Sequence, residues 1–188
     1  MAPPLKRTDC SPVSDGAAAV VLAAITIARS LVKAVHFRSL GQANDYLPMS
    51  LRNMTRFEGG EYAWKSALEA AHLSLGDLSF VETHDCLTIA ELIAYETMGL
   101  VPFGEGPRAI LEGWTMPDGR LPINRSGGLK AKGHPVGATG VSMHVMAAMQ
   151  LVGQAGDMQL PRADFGAVYN MGGSAVTNYV SVLEALRQ

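Results

Sequence analysis

Two short groups of residues have the types and spacing needed for proton transfer. The first is His84-Asp85-Cys86, a thiol two positions from an imidazole, placed where a strand-like run, Leu78 to Thr83, gives way to a helical one, Leu87 to Met98. Open α/β sheets place ligands at the carboxyl ends of their strands, which promotes residues at such a junction. A cysteine at a helix N-terminus has its thiolate favoured by the backbone dipole, and an imidazole beside it can exchange the proton. The same three residues read equally well as an inert buried thiol and an aspartate that caps the helix.

The second is His134, inside Asn124-Arg-Ser-Gly-Gly-Leu-Lys-Ala-Lys-Gly-His-Pro-Val-Gly-Ala-Thr-Gly140, where five glycines fall among 17 residues. Those glycines permit positive φ and close approach of a backbone or ligand, while Pro135 restricts His134 to an extended conformation. A tight surface turn with a solvated histidine is the plainer account. His36 reads as a strand-face residue, and His72 as a residue near a helix end that suits the dipole when charged.

The elements that must position these groups alternate between strand and helix patterns. Asp9 to Ala23 begins with turn formers and continues as a small-apolar run suited to a strand buried on both faces, with a short helix after it. Val32 to Leu40 is β-branched and ends at Gly41. Gln42 to Arg56 is a long loop, uncommon unless it does something. Glu61 to Leu73 is a helix for packing on a sheet, Arg108 to Glu112 a brief helix, and Pro117-Asp-Gly119 a turn able to reverse a hairpin. Val141 to Val152 is a mostly buried helix. Phe165 to Asn170 and Ala175 to Leu183, separated by Met171-Gly-Gly-Ser174, form a final antiparallel hairpin, so the class is α/β and layered.

Composition excludes several functions. With 188 residues, 48% hydrophobic and 17% charged, the chain suits one globular unit with a sizeable core. A net charge of −2, with lysines gathered only at Lys130 and Lys132, offers no field for nucleic acid. Cys10 and Cys86 lie far apart with no CxxC or Cys/His grouping, so neither a disulfide framework nor a metal site is expected. Met1 to Arg7 lacks a signal pattern, and Ala17 to Ile27 is too short to span a bilayer. The expectation is a cytoplasmic chain without a membrane span.

The glycine-rich stretch resembles the Asn-x-x-Gly-Gly…Gly-His-Pro-x-Gly signature of thiolases. His84-Asp85-Cys86 resembles the His-Asp-Cys-Phe motif of their sterol-carrier-protein type, with Leu87 departing from the Phe. Ser14-Asp-Gly-Ala-Ala-Ala-Val-Val21 resembles a strand near the end of the family's N-terminal half, and Met171-Gly-Gly-Ser its final glycine-rich turn. Asn170 stands where many thiolases carry a second cysteine.

That resemblance implies a thiolase-like fold with a mixed five-stranded sheet covered by helices. Residues 1–31 would be the remnant of an N-terminal half and 32–188 the C-terminal domain. It implies an acyltransferase acting on 3-oxoacyl-CoA thioesters, by thiolytic cleavage or Claisen condensation, including branched or steroid side-chain acyl groups. Coenzyme A would be substrate and no cofactor would be held. Neither Cys10 nor Cys86 matches the acylated cysteine, so the nucleophile would come from an N-terminal thiolase half. Cys86 would be the acid/base, while His134 would activate the nucleophile and, with His84, bind the thioester oxygen. Gly172 would offer a backbone N–H to a second oxyanion, and Gly127, Gly128 and Gly133 would admit the acyl-CoA arm. Two other roles remain open. One is a non-catalytic assembly partner for a small acyl-CoA-binding protein; under the catalytic reading the expected associates are an N-terminal thiolase half or further copies in a homo-oligomer. The other is an aldolase cleaving β-hydroxyacyl-CoA with Tyr169 as base.

Overall fold

The computed structural model describes residues 3–186. A sheet of four strands lies at its centre, in the order β1-β4-β3-β2, formed by β1 (Val35–Asn44), β2 (Phe80–Thr83), β3 (Phe165–Gly172) and β4 (Thr177–Ala185). The β3–β4 pair is the expected antiparallel hairpin, β1 runs antiparallel to β4, and β2 lies parallel to β3. Parallel neighbours need a long crossover. Here it passes through α3 (Thr88–Thr97), α4 (Gly106–Leu111), α5 (Gly128–Lys132) and α6 (Thr139–Leu151).

Helices cover both faces. The buried positions of α2 (Glu58–Ala71) include Ala63, Trp64, Ala67 and Ala71, a helical spacing, and they join Tyr169, Val180 and Val182 of the sheet in one core. Near the end of α2, Ser39 Oγ donates to the Ala67 carbonyl at 2.6 Å and Arg38 Nε to that of Ala71 at 2.8 Å. His72 closes the helix in the left-handed region, with φ of 55°. On the other face, Met143, Ala147 and Leu151 of α6 pack with Phe80, Val168 and Leu183.

The sheet has four strands where five were expected; beyond β2, Ile123 meets Val81 only through an isolated parallel bridge. Pro122 has no N–H to give a ladder, and Asn124 turns to φ 52°, so pairing stops on both sides. The turn at Pro117-Asp118-Gly119 brings the Leu121 N–H back to the Trp114 carbonyl at 2.9 Å without making a hairpin of strands.

Asp9 to Ala23 is not the buried strand its composition suggests. Its strand-like pairing among the described residues is confined to the bridges Cys10–Leu87 and Val13–His134, and Val13 and Val21 are 94% and 96% exposed. Small apolar residues are buried only where another element covers them, and none does so at Val21. The short helix that follows is a single turn, α1 (Ile25–Ala28).

Strand β1 also continues through Gly41 instead of ending there. A Cβ at Gly41 would run into the Ala63 carbonyl oxygen, so this glycine lets α2 lie close on the strand. Gly41→Ala is therefore expected to overpack the α2–β1 contact and cost about 1–3 kcal/mol. A lowered midpoint in thermal unfolding checks this; an unchanged midpoint contradicts it.

Candidate active site

His84 follows the last residue of β2. The parallel register sets Thr83 beside Tyr169, and the His84 N–H donates to the Tyr169 carbonyl at 3.0 Å, which carries the pairing one residue beyond the strand. Its ring then meets the next residue of β3: Nδ1 lies 2.7 Å from Asn170 Oδ1. An amide oxygen only accepts, so Nδ1 carries the proton, and in the neutral ring the lone pair sits on Nε2.

His134 is fixed in the same sense. Its Nδ1 is 2.7 Å from Thr139 Oγ1, and that hydroxyl lies 3.1 Å from the Pro135 carbonyl, which can only accept its single proton. The hydroxyl therefore accepts from Nδ1–H, leaving Nε2 as the lone-pair nitrogen here too. The two rings meet edge to face, with centroids 5.1 Å apart at 88°. Burial pushes both pKa values below that of an ordinary histidine. For His84 the Asn170 hydrogen bond and the Asp85 charge oppose the shift, while His134 adds to it. Asp85 alone opposes it at His134. Together they form two neutral, oriented bases.

The negative charge that acts on both rings is that of the Asp85 carboxylate. Buried at 2% exposure, it accepts from the Leu129 N–H at 2.6 Å and the Lys130 N–H at 3.3 Å. It thus caps α5, 44 positions away, and not α3, whose N-terminus has no side-chain cap. Gly128, at φ 58°, packs against this carboxylate, and a Cβ there would overlap it. Gly133, at φ 97°, likewise leaves room for Ser14 Oγ. The close approaches at Gly128 and Gly133 are thus made by the chain's own side chains, while Gly127 is exposed. A second buried carboxylate, Glu82, accepts from the Ser126 N–H at 3.1 Å and its hydroxyl at 2.5 Å. Asn124 closes the set, accepting from the Thr83 N–H at 2.8 Å and donating to Glu91 at 3.1 Å.

Cys86 is half-buried beside the Leu129–Met143 core, and both cysteines are free thiols. Burial, then the charge of Asp85, raises its pKa, opposite to the thiolate expected from a helix dipole. A protonated thiol is a proton donor. Its carbonyl accepts from the Ser11 N–H at 2.7 Å, and the Pro12 carbonyl accepts from the His134 N–H at 3.2 Å. Two adjacent residues therefore lace the turns together, which puts the Cys86 and His134 backbones within roughly 12 Å.

Gly172 ends β3, two residues past Asn170, and is exposed. After it, Gly173, Ser174 and Ala175 all adopt left-handed backbone, with φ of 60°, 55° and 63°. For the two non-glycine residues this costs on the order of 1–2 kcal/mol each, and such strain persists only where surroundings impose it. Tyr169 points to the opposite face from Asn170, as neighbours on a strand must. It is fully buried, its hydroxyl donates to Asn178 Oδ1 at 2.8 Å, and burial pushes its pKa up. It is a core residue and not a base.

Of the residues singled out from sequence, His84 and His134 meet directly, Cys86 is tied to them by backbone, and Gly172 borders the Asn170 anchor. Thr139 was not foreseen, and Asn170 was noted only as standing where many thiolases carry a second cysteine, not as the partner of His84. Thr139 lies five positions after His134 and was open to local reasoning; the pairing of Asn170 with His84 follows from the β2–β3 register.

The chain is similar to known proteins over most of its length. The profile of the family described as "Thiolase C-terminal domain-like" matches residues 41–185. An acetyl-CoA acetyltransferase of Methanothermobacter thermautotrophicus is 41% identical over 184 residues, which cover 97% of this chain and 48% of that protein. Sterol carrier protein 2 of Homo sapiens is 37% identical over 176 residues, covering 89% of this chain and 32% of its own length. The chain thus spans about half or less of these relatives. A solved structure described as the Ltp2-ChsH2(DUF35) aldolase superposes with a TM-score of 0.85 at 20% identity, over 100% of this chain and 49% of that one, a likeness of fold.

Both histidines are expected to titrate below about 6.5 when followed by NMR of their ring protons. The unfolded chain binds those two protons more readily, so stability falls as pH is lowered through about 6.5 and on down to the folded pKa values. Either ring titrating at or above 6.5 contradicts the burial argument.

Proposed function

Because the chain belongs to the thiolase C-terminal domain-like family, we propose that it supplies the acid/base and oxyanion half of an acyltransferase site for 3-oxoacyl-CoA thioesters. The acylated cysteine would come from an N-terminal thiolase half. The observation that carries this is the edge-to-face histidine pair, each ring anchored at Nδ1 with Nε2 as its lone-pair nitrogen.

In this proposal His134 Nε2 takes the proton of the incoming cysteine thiol. The resulting Nε2–H then donates to the thioester oxygen as negative charge develops there. His84, whose neutral Nε2 accepts, acts through a water that donates one hydrogen to it and the other to that oxygen. When the carbon–carbon bond breaks, the enolate needs a proton, and the raised pKa keeps the Cys86 thiol ready to give it. The resulting thiolate can then take the proton of the coenzyme A thiol that attacks the acyl-cysteine, and the departing cysteine sulfur recovers its proton from His134 Nε2. The Gly172 backbone is assigned the second oxyanion.

The exposed run containing Val13, Val20, Val21 and Leu22 supports docking of a second half, since apolar surface of this kind recruits a partner. The aldolase alternative needs Tyr169 as base, and its burial on the far face of the sheet disfavours it.

The chain alone is expected to show no thiolytic turnover with acetoacetyl-CoA. Joined to a nucleophile-bearing N-terminal half, it should gain turnover, and Cys86→Ala and His134→Ala should each lower the rate by about 10²-fold or more. Turnover by the isolated chain, or variants within about threefold of the parent, would remove the proposal.

A further inference from the structure

We infer that Arg52 is a positioning residue, holding the left-handed turn between β3 and β4 that sets Gly172 beside the histidine pair. The inference deepens the proposal above, because it bears on catalysis only if Gly172 meets the reacting oxygen. Residues 173–175 all have φ near +60°, and two of them, Ser174 and Ala175, carry side chains. Such a run needs bonds from outside to stay folded. Asn178 Nδ2 donates to the Ala175 carbonyl at 2.8 Å, but Asn178 sits on β4 and moves with the hairpin.

The loop after β1 supplies two bonds from outside it. Arg52 donates from a terminal guanidinium nitrogen to the Ser174 carbonyl at 2.8 Å, and the Asp45 N–H donates to the Val176 carbonyl at 2.6 Å. This gives the long loop a purpose that burial does not, since Leu47, Met49 and Leu51 are exposed. Arg52 is itself held, its N–H donating to the Met49 carbonyl at 3.1 Å where the short helical turn Met49–Leu51 ends. Its Nε is buried without an acceptor, and among the described residues no carboxylate pairs with it. An arginine placed for an ion pair would present its fork to a carboxylate. This one gives up that option and binds a strained carbonyl two residues from Gly172.

Hydrogen exchange followed by NMR tests this without any turnover, so an inactive chain leaves the test intact. Arg52→Ala should speed exchange at the Asp45 amide, which donates to the Val176 carbonyl, and at the Val176 amide, which donates across the turn to the Gly173 carbonyl at 3.3 Å, by about tenfold or more while leaving the α6 amides unchanged. Arg52→Lys, which keeps one donor, should fall between. Unchanged exchange at Asp45 and Val176, or an equal rise in α6, would overturn the inference. In enzyme joined to an N-terminal half, the same two variants should lower kcat in the same order with KM little changed. An exchange response without a kcat response would instead count against the role given to Gly172.

Discussion

The site depends on a buried carboxylate that reaches between two turns far apart in sequence. Asp85 leaves the end of β2 and accepts from the backbone N–H groups of Leu129 and Lys130, and the glycine at 128 is what lets it come so close. Charge-assisted bonds of this kind, made out of water, are among the stronger polar contacts in a fold. Glu82 grips Ser126 on the same side, so the strand end and the glycine-rich loop are fastened twice. Together with the Ser11 and Pro12 backbone bonds to the Cys86 and His134 turns, these bonds hold His134 facing His84. The chemistry assigned to the two imidazoles is thus a consequence of residues that touch no substrate.

Fastening the loop also sets the electrostatics. The rings lie partly out of water, which favours their neutral forms, and Asp85 moderates that shift without cancelling it. The same burial acts on Cys86 in the opposite sense, keeping its proton on. One environment therefore favours neutral imidazoles and a protonated thiol, the division that the proposed cleavage of a carbon–carbon bond beside a thioester would require.

Much of this was legible in the sequence. The helices α2 and α6 and the final hairpin follow from apolar spacing, and the two motifs marked His84, Cys86 and His134 before any fold was known. What sequence could not supply were relations between distant positions. A run of small apolar residues says that Asp9 to Ala23 suits burial, and cannot say whether a partner is there. The dipole argument for a Cys86 thiolate left out desolvation, which is decided by packing against residues over 40 positions away. Tyr169 looked available because it stands next to the glycine turn, yet strand alternation turns it to the far face. Gly41 looked like a strand end because its reason, the Ala63 carbonyl, lies on another element.

The central claim is that the two histidines act as one unit on one acyl group. A double-mutant cycle in enzyme joined to its nucleophile-bearing half measures this most directly, from acylation rates of His84→Ala, His134→Ala and the double variant. The account predicts strong non-additivity, the double variant losing little more than the worse single one. Losses that simply multiply would mean that the rings serve separate steps, contradicting it.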